Sequence, residues 1–93
     1  MSCNARRRLG THQSKAYTGT AGTIDNAVGI GTVRVRVITT SAAFIKIGKD
    51  PTATTSDVYM PADRYEDFDI IAGEKVSAVQ VSSGGTLHVT ELA

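Results

Sequence analysis

The chain has 93 residues and a formal net charge of +1, with 41% hydrophobic and 5% aromatic residues and no tryptophan. This length predicts one small domain with a thin core, because such a chain buries only about 60–65% of the surface that it exposes when unfolded. The nearly balanced charge excludes a dominant surface for polyanions. The single cysteine, Cys3, excludes an internal disulfide and a zinc site built on cysteines. No apolar run is long enough to span a membrane, and the first residues lack the apolar stretch of a secretory signal.

Residues 1–23 differ in charge from the rest of the chain. They contain four basic side chains and no acidic one, whereas residues 24–93 have a net charge of −3. Apolar residues in this first segment are sparse and show no period, so it cannot bury enough surface to offset its ordering entropy. The sequence therefore predicts an extended basic N-terminal arm over residues 1–23, ordered only against a neighbouring molecule, and a body over residues 24–93.

The body is predicted to be all-β. The chain has 28 β-branched residues but only five leucines and methionines, and β-branched side chains favour strands. Residues 32–40 alternate valine with arginine, which predicts a strand with one wet face. A turn at Ser41 and Ala42 would join it in a hairpin to a strand over residues 43–47.

The second half of the chain continues this pattern. Pro51 marks a turn, and residues 57–60 form a short predicted strand. Residues 62–71 fit either a helix or a strand, and we prefer the strand because its surroundings are β. Residues 75–82 have apolar side chains on both faces, which indicates a central strand, and a glycine hairpin turn at 83–85 leads to a last strand over 86–92. Six or seven such strands predict a small antiparallel β-sandwich or barrel.

No catalytic, metal-binding or cofactor-binding constellation is predicted, so we do not expect an enzyme. His12 falls in the arm, and His88 lies between Leu87 and Val89, so we expect it on a solvent or interface face of its strand. Gly29-Ile30-Gly31 is only a fragment of a nucleotide-binding motif and precedes a strand, where that motif would open a helix.

Charge instead suggests contacts with partners. The segment from Asp63 to Asp69 carries a net charge of −3, which is typical of a solvated acidic face and has no glycine suited to a calcium loop. The basic arm of one copy could dock on this face of another copy, and high salt should weaken such assembly. Three arginines without an aromatic stacking platform do not make nucleic acid the expected partner. The predicted partner-contact residues are Arg6, Arg7, Arg8, Lys15, Tyr17, Asp63, Glu66 and Asp67.

A series of short motifs in the body resembles a group of small tailed-phage virion proteins. In that group an "iGxxPTAT" loop, an "LPA" turn, a "GxkV" strand start and a C-terminal "xVTE" strand recur in this order. This chain has Met60 where leucine is usual, and the likeness covers residues 32–92 but none of the arm. The matching segments are VRVRV at 33–37, FIKIG at 44–48, DPTAT at 50–54, MPA at 60–62, DFDI at 67–70, GEKV at 73–76, SGGTL at 83–87 and LHVTE at 87–91.

The resemblance implies a non-enzymatic virion component with a β-sandwich-like fold, assembled in the host cytoplasm. A capsid decoration or cement protein fits the small size and the thin core, with the major capsid protein or other virion proteins as partners. A homo-oligomer is expected, a trimer being one such arrangement. The alternatives are a head–tail or tail-fibre accessory protein and, from another class, a host-directed glycan- or protein-binding module that uses Tyr17, Tyr59 or Tyr65.

Overall fold

The computed structural model describes residues 9–92, and these form eight strands in two antiparallel sheets. Sheet A has the strand order β1-β8-β3-β6 and sheet B the order β2-β7-β4-β5. The all-β prediction is confirmed. Within the described residues the strands do not close into a barrel, and the two sheets share one core, as in a sandwich. The strands are β1 (Leu9–Tyr17), β2 (Gly22–Thr23), β3 (Arg34–Thr39), β4 (Ala43–Gly48), β5 (Val58–Met60), β6 (Tyr65–Asp69), β7 (Lys75–Gln80) and β8 (Gly85–Leu92).

The core lies between the inward faces of the two sheets. In sheet A the predicted alternation holds, because Val35 and Val37 are buried while Arg34 and Arg36 lie on the outer face at intermediate exposure. Strand β7 lies between β2 and β4 in sheet B, which confirms the prediction of a central strand. The buried valine side chains of the two sheets fill the space between them, as a thin sandwich core requires. The buried cluster is completed by residues from both sheets and their loops: Tyr17, Ile24, Val28, Ala43, Ile45, Met60, Ile70, Val76, Ala78, Leu87 and Val89.

The predicted arm over residues 1–23 is wrong for its second part, residues 9–23. Strand β1 pairs with β8 of the same chain over most of its length, with an irregularity between Leu9 and His12, and β2 pairs with β7. Backbone hydrogen bonds to strands already in the sheets order this segment, so it does not need a large apolar surface of its own. The body therefore includes residues 9–23, and Arg6, Arg7 and Arg8 lie outside the described residues.

Two predicted hairpins are also wrong. Strands β3 and β4 belong to different sheets, and so do β7 and β8, so both short connections carry the chain across the sandwich. The connection between β7 and β8 requires glycine because other atoms of the chain lie very close to its backbone. A positive φ is not the reason, since among the described glycines it occurs only at Gly31 and Gly73. An ideal Cβ on Gly84 would lie 2.8 Å from the Tyr17 carbonyl oxygen, and one on Gly85 would lie 2.7 Å from the Thr40 hydroxyl.

The ambiguous stretch over residues 62–71 contains a strand, as preferred. Strand β6 pairs with β3, with Phe68 opposite Val35 and Asp67 opposite Arg36. Paired residues of antiparallel strands point to the same face, so Phe68 is directed towards the core, where it is half-buried. Because β6 is the last strand of sheet A, its second edge has no strand partner among the described residues.

Candidate interaction surface

The predicted acidic face lies on edge strand β6, but its own chain neutralises much of it. The Arg36 side chain bonds the Asp67 carboxylate over 3.0 Å, and Arg34 bonds Asp69 over 3.1 Å. The hydrogen bond that Arg36 donates to the Asp67 carboxylate raises the pKa of the Arg36 guanidinium above its ordinary value. The same guanidinium lies 4.4 Å from the centre of the Tyr65 ring, a cation–π contact. On the outer face of β3 and β6, two basic side chains therefore form ion pairs with two acidic ones of the same chain.

Asp63 and Glu66 have no ion-pair partner among residues 9–92. Asp63 adopts a positive φ of 58° in the turn before β6, and its amide donates a hydrogen bond to the Thr39 carbonyl over 2.8 Å. Glu66 is paired in register with buried Val37, so it leaves β6 on the side of the core although it is exposed. An inward-directed charge on an edge strand is a common means of discouraging uncontrolled strand addition.

Lys15 and Tyr17 do not join the acidic strand. Lys15 forms an ion pair of 2.9 Å with Asp25, and its hydrogen bond and charge lower the pKa of the Asp25 carboxyl. Lys15 lies on β1, at the opposite edge of sheet A from β6, so it could reach the acidic strand only of another copy. The prediction that Tyr17 contacts a partner is wrong, because its side chain is 2% exposed and belongs to the core. Its hydroxyl group is held by the Ser41 backbone, which explains its burial.

An apolar groove that the sequence did not predict opens between the two sheets on the side of β5 and β6. Its volume is about 240 Å³, and sheet B supplies one wall while β6 of sheet A supplies the other. The groove exists because β5 has only three residues and lies at the edge of sheet B, so the sandwich is left open there. The lining residues are Ile45, Lys46, Ile47, Asp57, Val58 and Phe68.

Exposed apolar side chains lie on the two edge strands, β5 and β6. Val58 is 60% exposed, and its neighbour Tyr59 is 55% exposed and contacts Phe44 edge to face at 6.0 Å. Tyr65, at the start of β6, is 60% exposed. Tyr59 pairs in register with Phe44 on the outer face of sheet B, and the Tyr65 ring lies under Arg36 on the outer face of sheet A, so neither ring points into the groove. Free strand edges and an apolar groove on one side of a small domain are typical of a protein-contact surface. The only sequence signal for it was the Val58-Tyr59 pair in a three-residue strand.

A second apolar cluster lies at one end of the sandwich. Ile30 is fully exposed at the tip of a turn in which the Thr32 amide donates to the Gly29 carbonyl over 3.1 Å. Val33 and Ile71 are also exposed, and the Ile70 amide donates to the Val33 carbonyl, which places these loops side by side.

The antiparallel pairing of strands β1 and β8 brings the two described histidines together. His88 alternates with buried Leu87 and Val89 and is half-buried on the outer face of sheet A, next to His12.

Within residues 9–92 no helix is long and apolar enough to cross a membrane. The same range contains no group of three or more histidine, cysteine, aspartate and glutamate side chains arranged to hold a metal ion.

Comparisons of the chain with protein-family models, curated proteins and solved structures found no match.

Proposed function

We propose that this chain is a non-enzymatic structural protein of a tailed-phage virion that decorates or cements the capsid by bridging capsomers. The phage assignment is supported by the motifs within residues 32–92, which follow one another in the same order as in the phage proteins that the chain resembles. The assembly role is supported by one structural observation, the apolar groove with the free edges of β5 and β6 beside it. Many weakly bound copies on a symmetric shell can stabilise it together by multivalency, and this requires contact surfaces but no reactive site.

A second copy of this chain is the proposed occupant of the groove. Lys46 and Asp57 both line it and carry opposite charges, so the same surface on a neighbouring copy is complementary to it. A stable interface buries about 800 Å² on each partner, which is more than the groove alone supplies. The free edges of β5 and β6 beside the groove would add to the contact. We therefore propose a homo-oligomer built through the β5–β6 side.

The oligomeric state in solution tests this contact. Sedimentation or light scattering of the full chain at micromolar concentration should show a defined oligomer. Val58→Asp should convert it to a monomer, because the contact would have to bury a charged carboxylate in place of an apolar side chain. Val81→Asp is the matched control, since Val81 is also exposed, at 42%, but does not line the groove. A monomeric parent protein, or equal behaviour of the two variants, would overturn the proposed contact.

The place of the protein in the particle requires a separate measurement. Quantitative mass spectrometry of purified virions should give a copy number in proportion to the major capsid protein. Particles that lack the chain should lose heat resistance. A copy number set by the symmetry of the tail would replace this proposal with a head–tail accessory role. Absence of the chain from purified particles would overturn a virion role altogether.

A host-directed binding module is the second candidate, and exposed Tyr59 favours it. Sugar rings stack on exposed aromatic side chains, and Tyr59 is held in position by its contact with Phe44. In that case the parent protein should bind glycans on an array, and Tyr59→Ala should abolish the signal while Tyr65→Ala retains it. A parent protein that binds no glycan excludes the sugar-binding form of this candidate.

A further inference from the structure

The two histidines of the chain stack on each other although they lie in its first and last described strands. Their ring centres are 5.5 Å apart, and the ring planes differ by 20°. The β1–β8 register pairs His12 with Thr90 and Ser14 with His88, so the histidines are diagonal neighbours on one face of the sheet. Both imidazoles therefore lie within reach of one small ligand on the outer face of sheet A.

A hydrogen bond positions one of these rings. His12 Nδ1 lies 2.8 Å from the Thr90 hydroxyl oxygen. If Nδ1 carries the proton and donates it to this oxygen, the lone pair of Nε2 is left free on the outer side of the ring. Histidines that bind metals usually donate their other ring N–H to such a fixed acceptor, which sets the tautomer and the ring orientation.

Charged side chains near the pair are directed elsewhere. Arg36 on the neighbouring strand β3 bonds Asp67, and Lys15 on β1 bonds Asp25. Glu91 accepts a hydrogen bond from the hydroxyl of a threonine in the loop before β3. The two imidazoles thus form a pair of nitrogen donors without a carboxylate ligand among residues 9–92. Nitrogen ligands of this kind suit zinc, nickel and copper, whereas calcium and magnesium prefer oxygen.

We propose that His12 and His88 together bind a divalent transition-metal ion of the zinc class. Two tetrahedral ligand nitrogens at zinc distances lie about 3.3 Å apart, a separation that rotation of the two rings about their side-chain bonds can produce. Water completes the coordination, because the described residues bring no third histidine, cysteine or carboxylate to the site. The bound ion links β1 to β8 and so fastens the first strand to the sheet.

Calorimetric titration of the tag-free full chain with zinc chloride tests this site. The titrations use a Cys3→Ser background, which removes the one thiol. One ion should bind per chain, magnesium chloride should give no heat, and zinc should raise Tm by mass action. His12→Gln and His88→Gln should each abolish both effects. A parent protein that binds no zinc, or variants that bind it unchanged, would overturn the proposal.

A pair of threonine variants provides a second test if a histidine variant folds poorly. Thr90→Val keeps both histidines but removes the oxygen beside His12, so zinc affinity should fall about tenfold. Thr86→Val is the matched control, since Thr86 lies on the same face of β8 but does not bond either histidine, and its zinc affinity should equal that of the parent. Equal affinity in the two threonine variants contradicts the role given to Thr90 and, with it, the site.

Discussion

The hydroxyl group of Tyr17 donates a hydrogen bond to the carbonyl oxygen of Ser41 and accepts one of 3.2 Å from its amide. Tyr17 ends β1, and Ser41 lies where the chain passes from β3 in sheet A to β4 in sheet B. A single buried side chain therefore holds the first strand against the crossing between the two sheets.

Removal of that hydroxyl group should destabilise the fold. Tyr17→Phe leaves both backbone groups of Ser41 without their partner, and the free energy of unfolding should fall by about 1–3 kcal/mol in urea denaturation. Tyr65→Phe is the control, since Tyr65 is 60% exposed and should change stability by less than about 0.5 kcal/mol. Similar losses in the two variants would show that the Tyr17 hydroxyl does not brace the crossing.

Glycine at position 22 is required by a close backbone approach. An ideal Cβ there would lie 2.2 Å from the Ala16 carbonyl oxygen, whereas one on Gly48 would meet no atom within 4 Å. Gly22→Ala must therefore separate β2 from the end of β1 and should lower the free energy of unfolding by about 2 kcal/mol or more. Gly48→Ala should leave Tm unchanged or slightly raised. Thermal unfolding followed by circular dichroism compares them, and an unaffected Gly22→Ala protein would mean that the two segments are not in contact.

The buried hydroxyl group of Thr39 does not stabilise the fold. It is 0% exposed, and its Oγ1 has no hydrogen-bond partner among the described residues. Valine has nearly the same shape without the polar atom, so Thr39→Val should raise the free energy of unfolding by about 1 kcal/mol. Chemical denaturation measures the change, and a clear loss of stability would indicate that the hydroxyl group has a partner in the folded protein.

The ion pair between Lys15 and Asp25 should give stability a small dependence on pH. The hydrogen bond and charge of Lys15 lower the pKa of Asp25 in the folded state. The ionised carboxylate therefore contributes stability above the ordinary aspartate pKa of about 4, and this contribution is lost as the pH falls through the lower folded value. Asp25→Asn should be less stable than the parent at pH 7 but equally stable near pH 2. Because both side chains are exposed, the difference should also shrink in high salt, and a difference that persists at low pH would contradict this origin.

The sequence was sufficient to predict the class of fold and the strands whose side chains alternate. Val35, Val37, Leu87 and Val89 are buried as their spacing indicates, because each faces a core on one side only. Strand β6 is also recognisable, although three of its five residues are charged, because the surrounding pattern is β throughout.

Strand β1 could not be recognised from local pattern. Between Leu9 and Tyr17 its side chains are small or polar, and its pairing partner is far along the chain, with His12 and Thr90 separated by 78 positions. The sheet to which each strand belongs also follows from packing and not from chain order, which is why local pattern predicts hairpins at two short connections that in fact cross between the sheets. The groove and the histidine pair depend on that same long-range register, so neither could be predicted before the sheets were known.

The position of β8 between β1 and β3 has a consequence for how the protein is made. During synthesis, β1 and β3 emerge from the ribosome long before the strand that both of them need, so sheet A cannot close until β8 is complete. Long-range pairing of this kind folds slowly and leaves strand edges unprotected in the meantime. The unpaired edges of β1 and β3 should therefore need protection until β8 is available, and removal of β8 would leave each of these strands without its pairing on that side.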